Sequence, residues 1–379
     1  MVIQELDAGF SGAELRNNAN FAALSTLAAA GSPALRNGSG TGATIRLRPV
    51  EGRAARAGAP TVRSLAPGEV ERLLAYVEEQ QPSLVLFEGV ATLTAMRAVR
   101  RRHPALSILV DMHNVESLLQ ADIDRARLPR PLRSLAPLIH RERRRALVEA
   151  DRECAALATA IWTCSGPDAA RLVALTGRAA TVVPNPVPAW CAAGGAAFSP
   201  GGDRVLFLGH LSYPPNKRAV RELCSRILPG LRKSLPDVRL EVCGRRPGAR
   251  LRQSVERAGY RLVADARDLA SVYARAAVMA LPLREGGGTR IKILEALAVG
   301  CPVVATAKAV EGLDLEPGRH FLSAETSREF VAALRLLLGD PARREDLRRA
   351  GRDFIEQHHS GTARTATIAA ALQALRQPC

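Results

Sequence analysis

The stretch VMALPLREGGGTRIKILEALAVGCPVV, residues 278–304 of a 379-residue chain, decides how the rest is read. It opens with the apolar run VMALPL (278–283), turns through Gly286, Gly287 and Gly288, and offers Thr289 as the N-cap of a helix reaching about Val299. PVVAT (302–306) follows as a short buried strand. Strand, glycine turn, helix and strand in that order is the repeating unit of a parallel α/β sheet. Glycines permit close backbone approach, a helix start presents unpaired N–H groups, and the helix dipole favours an anion there, so the segment has the chemistry of a phosphate cradle. Arg290 and Lys292 add full positive charges, and Glu295, deeper on the same helix, can accept hydrogen bonds from sugar hydroxyls. Spacing alone also leaves open a glycine-rich loop with a solvated charged helix face. It excludes a Walker loop, whose Gly-Lys-Ser/Thr ending is missing.

The alternation extends in both directions. RVLFLG (204–209), LEVCG (240–244) and YRLVA (260–264) read as strands, with helices near 217–233, 249–258, 268–276, 326–338 and 341–357. In the first half LVLFE (84–88), SILVD (107–111), AIWTC (160–164) and TVVP (181–184) alternate with helices near 91–102, 137–158 and 167–175. Residues 31–68, rich in Gly, Ser, Pro and Arg, contain one strand candidate, TIRLR (44–48). From 183 the chain reads VPNPVP and then AAGGAAFSPGG, stiff and then flexible with no helical period, which marks a domain boundary. The expected organisation is a domain over 1–190, a second over 203–357, and a tail over 358–379 that can pack back on the first. Both domains read as doubly wound, with ligands expected beyond the C-terminal ends of their strands.

Composition narrows the class. Hydrophobic residues make up 47% and charged residues 24%, which excludes collagenous and wholly disordered chains. Lys and Arg number 53 against 37 Asp and Glu, and the resulting +16 favours an anionic partner: nucleotide, nucleic acid or acidic membrane. The seven cysteines form no CxxC pair and no zinc-ligand spacing, so a reducing, cytoplasmic setting is expected, with no metal site. MVIQELDAGF lacks the basic start of a secretory signal. The most apolar stretch, 293–306, is interrupted by Glu295, Gly300 and Pro302 and is too short for a bilayer span, so any membrane contact is peripheral.

Three further segments carry chemistry. FLGHLSYPPNKRAV (207–220) is a strand, a Gly turn at Gly209 and a Pro-started helix with Lys217 and Arg218 in its first turn, where cations oppose the helix dipole unless an anion answers them. ILVDMHNVES (108–117) ends a strand in Asp111, His113, Asn114 and Glu116; a catalytic His113 competes with a plain turn or helix cap. HRERRRALVEADRE (140–153) suits nucleic acid or anionic lipid, yet its Arg145/Glu149 spacing is that of an ordinary solvated helix, and aromatics at 4% leave few stacking surfaces.

Residues 278–304 resemble the donor-binding signature of GT-B glycosyltransferases, particularly glycosyltransferase family 4, in which two glutamates separated by seven residues precede a Gly-x-Pro-Val-Val strand. Glu295 with LEALAVGCPVV matches the closing half; Gly287 stands at the first glutamate's position, with Glu285 displaced by two. The resemblance implies two Rossmann-like domains facing across a cleft. It implies that Glu295 holds the nucleotide ribose, that amides around Gly287, Gly288 and Thr289 meet the pyrophosphate, and that Arg290 and Lys292 neutralise it, Lys292 also serving catalysis. Gly209 and Lys217 inherit the donor-diphosphate contacts of the preceding loop. LEVCGRRPG (240–248) and RLVADARDLASVYARA (261–276) are similar to the segments flanking the base pocket, implying base contacts from Arg245, Val263 and Leu269. His113 is implied beside the donor sugar. DAGFSGAELR (7–16) is similar to the N-terminal glycine loop, placing Gly12 near donor phosphate and turning Arg16 toward the cleft. The implied activity is retaining, metal-independent glycosyl transfer from a nucleotide-diphosphate sugar, with no other cofactor. The acceptor stays open between a carbohydrate, a lipid-linked glycan and a small metabolite. A sugar-nucleotide 2-epimerase of the same fold and a basic nucleic-acid-binding protein are the alternatives.

Overall fold

Runs of apolar and β-branched residues buried on both faces favour parallel strands, and among the described residues twelve strands pair in two six-stranded sheets. The structure is a computed structural model and describes residues 1–4, 12–30, 45–48, 65–66, 68–194, 202–286 and 291–375. It divides into Met1–Pro186 with Gly361–Cys379, and Val187–Ser360.

In the first unit β1 (Val2–Gln4), β2 (Ile45–Leu47), β3 (Leu84–Phe87), β4 (Ser107–Asp111), β5 (Ala160–Thr163) and β6 (Thr181–Val182) lie in the order β2-β1-β3-β4-β5-β6. Every pairing is parallel. Leu47, Phe87 and Val110 share a core with Leu93, Met96 and Val99 from the helix Leu93–Arg102. On another face of the sheet Leu86, Leu109 and Trp162 pack with Ala23 and with Ile368 and Leu372 of the C-terminal helix Gly361–Ala374.

A buried polar network fastens that helix. Arg16 is 1% exposed and donates to both carboxylate oxygens of Asp111 at 2.7 Å, and to Val183 O and Asn185 Oδ1 at 2.7 and 3.1 Å. Asn20 donates to Asp111 at 2.7 Å, while Arg364 donates to Asn20 and, at 2.8 Å, to Pro184 O. Arg16 therefore does not present itself as an exposed ligand group, and Asp111, although at a strand end, is enclosed: the two neutralise each other in the interior. Burial pushes the Asp111 carboxyl up, but the charge and hydrogen bonds of Arg16 outweigh it and hold the group below its ordinary 3.8. Burial and then Arg16 pull Arg364 down to about 9, which still leaves it charged at neutral pH.

In the second unit β7 (Arg204–Leu208), β8 (Arg239–Gly244), β9 (Arg261–Ala264), β10 (Val278–Leu281), β11 (Val303–Ala305) and β12 (Leu322–Ser323) form a parallel sheet in the order β12-β11-β10-β7-β8-β9. This is the doubly wound order whose direction reverses between β7 and β10, so a crevice opens beyond the C-terminal ends of those two strands. A capping box between Thr326 and Glu329 starts the helix Ser327–Gly339, and Asp340 caps Pro341–His359.

Two expected helices differ in detail. The helix expected near 217–233 starts at Pro214, whose missing N–H costs nothing in a first turn, and includes a π-helical turn, Leu223–Ile227, just before Pro229. The helix expected near 137–158 is two, Ala136–Ile139 and Arg141–Leu157, separated where His140 leaves helical geometry.

Removing one partner of a buried ion pair strands the other charge, so Asp111→Ala is expected to cost about 3–5 kcal/mol in urea unfolding. Because the folded Asp111 value is depressed, its contribution is present above 3.8 and lost as pH falls through the lower folded value. The acid-unfolding midpoint of the variant should move less with that protonation than the wild type's.

Candidate functional site

Loops at one end of a parallel sheet converge because all its strands point the same way. In the second unit these are the segments after β7, β8, β9 and β10. The first two are drawn together by bonds from Gly209 N–H to Cys243 O (3.0 Å) and from Leu211 N–H to Arg245 O (2.8 Å). A Cβ on Gly244 would lie 1.8 Å from Gly209 O, so only glycine permits that approach. The site of a Cβ on Gly209 lies 2.9 Å from both Lys292 Nζ and Asn216 Nδ2. Gly209 and Lys292, 83 positions apart, are thus brought together. Gly209 contributes room for the ammonium; its own N–H is already bonded within the sheet.

The neighbours of this point are basic. Lys292 Nζ stands 5.6 Å from the centre of the Phe207 ring. His210 follows Gly209, its carbonyl accepts from buried Asn216 at 2.9 Å, and its Nδ1 is 3.0 Å from Ser212 Oγ. Burial lowers the His210 pKa, and Arg246, Arg245 and Lys292 lower it further against the opposing charge of Asp265. Three full cations therefore act on one loop at the switch point of the sheet, a field that a diphosphate answers. Arg246 and Asp265 hold left-handed backbone, φ 51° and 50°, and the Arg246 N–H bonds Asp265 at 3.2 Å. Non-glycine residues in that region cost of order 1–3 kcal/mol and cluster where function over-determines the backbone.

Glu295 lies on the helix Ile291–Val299 and is 9% exposed. The fully buried Tyr273 hydroxyl is 3.0 Å from Lys292 O and 3.1 Å from Glu295 Oε2, and Trp190 stacks on the Tyr273 ring at 5.8 Å. Tyr273 thus ties the backbone of Lys292 to the carboxylate of Glu295. Burial raises the Glu295 pKa above its ordinary 4.5, opposed by the Tyr273 bond and by Lys292. Glu285 is ion-paired with Arg218, so the anion that answers this cation of the helix Pro214–Glu222 is one of the protein's own.

The remaining expected residues fall as follows. Gly287, Gly288, Thr289 and Arg290 lie outside the described residues. Lys217 is half-buried in the first turn of Pro214–Glu222, and Arg245 is exposed at the end of β8. Val263 on β9 and Leu269 at the start of Leu269–Ala274 are half-buried against the apolar core. Cys243 is fully buried, its thiol pushed up by burial to about 12, which suits a core residue and no nucleophile.

In the first unit Gly12 begins the helix Gly12–Ala29. His113 is half-buried after β4, and its carbonyl accepts from Cys164 Sγ at 3.1 Å. Burial lowers its pKa, so the imidazole is neutral at pH 7, with Asp111 opposing and Arg16 reinforcing the shift. Neither His113 nor Asn114 caps the next helix: its Glu116 and Ser117 N–H groups bond Asp151 at 3.3 and 2.9 Å. Sequence reasoning missed His210, Asn216, Arg246 and Asp265. The signal for the first two was the register of FLGHLSYPPN; the left-handed pair carries no local signature.

Residues 202–340 match the family model for glycosyl transferases group 1. No curated protein matches the chain in sequence. Among solved structures it is similar to sucrose-phosphate synthase (tll1590) from Thermosynechococcus elongatus, at 18% identity and a TM-score of 0.65, with 99% of this chain and 98% of that one covered. Anabaena Alr3699/HepE in complex with UDP-glucose is 14% identical, with a TM-score of 0.61 and coverage of 98% and 99%. A glycosyltransferase from Rickettsia africae ESF-5 is 10% identical, with a TM-score of 0.64 and coverage of 100% and 99%. At these identities the likeness is one of fold: two parallel-sheet α/β units of the GT-B type. The group 1 match lies within the second unit, which holds the basic loops.

Tyr273→Phe leaves a buried carboxylate without its donor, so a stability loss of about 1–3 kcal/mol is expected in denaturant unfolding. Gly244→Ala should displace the loop after β7 and weaken nucleotide binding at least about tenfold by calorimetry, since the added methyl overlaps a backbone oxygen.

Proposed function

We propose that this chain is a glycosyltransferase of family 4 that moves a sugar from a nucleotide-diphosphate donor to an acceptor with retention of configuration. One observation carries the reading: Gly209, Asn216 and Lys292 meet at the switch point of the second sheet, with Arg245 and Arg246 acting on the same loop. The group 1 match over 202–340 and the fold shared with HepE, whose structure holds UDP-glucose, support it. We assign the donor diphosphate to Lys292 and the loop after β7. As the sugar leaves, negative charge grows on the diphosphate. Lys292 meets that charge without reorganising, which is electrostatic stabilisation that needs no metal ion. Glu295, held through Oε2 by Tyr273, offers Oε1 to ribose hydroxyls. The acceptor is assigned to the first unit, and His113 after β4 is assigned to the donor sugar and the reacting centre. No observation favours the epimerase or the nucleic-acid alternative, and Glu285, engaged by Arg218, is poorly placed to serve as an epimerase base.

A thermal-shift panel of nucleoside diphosphates and their sugars tests the class and names the base, because a ligand at 100 times its Kd adds about 2.7 kcal/mol to stability. One nucleotide family should raise Tm by several degrees; a flat panel contradicts the proposal. Lys292→Ala should abolish turnover while leaving ligand-free Tm nearly unchanged, Glu295→Ala should abolish it with a stability loss of about 1–3 kcal/mol because it removes the buried partner of Tyr273, and near-normal activity in both counts against the site. Loss of Glu295 ionisation as pH falls should weaken donor-sugar binding at a pH above 4.5, the ordinary glutamate value, because its folded value is raised. Glu295→Gln should lack that limb.

A further inference from the structure

Among the described residues seven large hydrophobic side chains are exposed, and five of them, Leu118, Leu132, Leu135, Leu138 and Ile139, fall within a 22-residue stretch of the first unit. Leu138 is 70% exposed and Ile139 54%. Single exposed leucines are ordinary, whereas a concentration of them marks a binding surface. The local fold explains the exposure. A 3₁₀ turn, Arg130–Leu135, leads into the one-turn helix Ala136–Ile139, of which only Ala136 is buried, and the break at His140 follows.

The same stretch is basic. Residues 125–145 contain eight arginines and one acidic residue, Glu142. Arg143 is 3.6 Å from Asp124, and Arg145 pairs with Glu149. Exposed Arg125, Arg127, Arg141 and Arg144 have no ion pair among the described residues. Arg125, Arg133, His140 and Arg144 come together around a pocket of about 410 Å³, whose Asp124 is engaged by Gln120 at 2.7 Å. No Phe, Tyr or Trp occurs from 118 to 145, so the aromatic anchors of protein interfaces and the stacking platforms of nucleic-acid binders are missing. Aliphatic side chains interleaved with unpaired arginines match a lipid boundary, where the chains enter the acyl margin and the guanidiniums meet headgroup phosphates. Among the described residues no helix is long and apolar enough to cross a membrane, so such contact is with the surface.

We propose that residues 118–145 form a docking face for an anionic lipid bilayer, with Leu132, Leu135, Leu138 and Ile139 inserting and Arg125, Arg127, Arg141 and Arg144 meeting the headgroups. The inference rests on these side chains and is independent of the nucleotide site. Its test is co-sedimentation of the full chain with phosphatidylcholine vesicles with and without phosphatidylglycerol. The wild type should bind the phosphatidylglycerol vesicles, release them at high salt, and stay in the supernatant with phosphatidylcholine alone. Leu138→Ser with Ile139→Ser, and separately Arg141→Glu with Arg144→Glu, should each weaken binding about tenfold or more, with Tm unchanged because these side chains are exposed. A wild type that ignores anionic vesicles overturns the proposal. So does undiminished binding by both variants, which would trace attachment to the overall +16 charge. A dimer in sedimentation velocity that the serine variant dissolves, without vesicle binding, overturns it in favour of a second copy of the chain.

Discussion

The approach of two backbone segments at Gly209 and Gly244 sets the geometry on which the chemistry of the second unit depends. With 1.8 Å between a Gly244 Cβ and the Gly209 oxygen, no side chain fits, and the loops after β7 and β8 lie against each other. That contact leaves Lys292, Arg245, Arg246 and His210 at one end of the sheet. Like charges gathered this way repel, and Asn216, Asp265 and Tyr273 hydrogen-bond the backbones of His210, Arg246 and Lys292 that carry them. An anion bound there would offset that repulsion.

The first unit solves a different problem. Its C-terminal helix arrives from the far end of the sequence, and the Arg16–Asp111–Asn20–Arg364 network ties it to the helix Gly12–Ala29 and to the end of β4. The carbonyls of Val183 and Pro184 are gripped by Arg16 and Arg364 respectively. The segment leaving the first unit and the helix returning to it are therefore fixed at one place, just before the division at Pro186 and just after that at Gly361.

How much of this was legible from the residues follows from the physics of each signal. Strands such as SILVD and LEVCG were readable because burial on both faces demands continuous apolar runs, and the 291–299 helix because its preceding glycines and Thr289 punctuate it. The element boundaries already set Gly209 just past β7, Lys292 in the first turn of the 291–299 helix and Glu295 deeper on it. The burial of Arg16 was not: the resemblance turned it toward the cleft, and only its long-range partner Asp111, 95 residues away, shows it enclosed. The engagement of Glu285 by Arg218 and the cap supplied by Asp151 were hidden for the same reason. Long-range ion pairs leave no periodicity in the chain that makes them.

The most direct measurement is a crystal structure of the nucleoside diphosphate complex. A phosphate oxygen is expected about 3 Å from Lys292 Nζ, beside Gly209, with a ribose hydroxyl donating to Glu295. A nucleotide bound elsewhere, with no phosphate within reach of Lys292 Nζ, would contradict it.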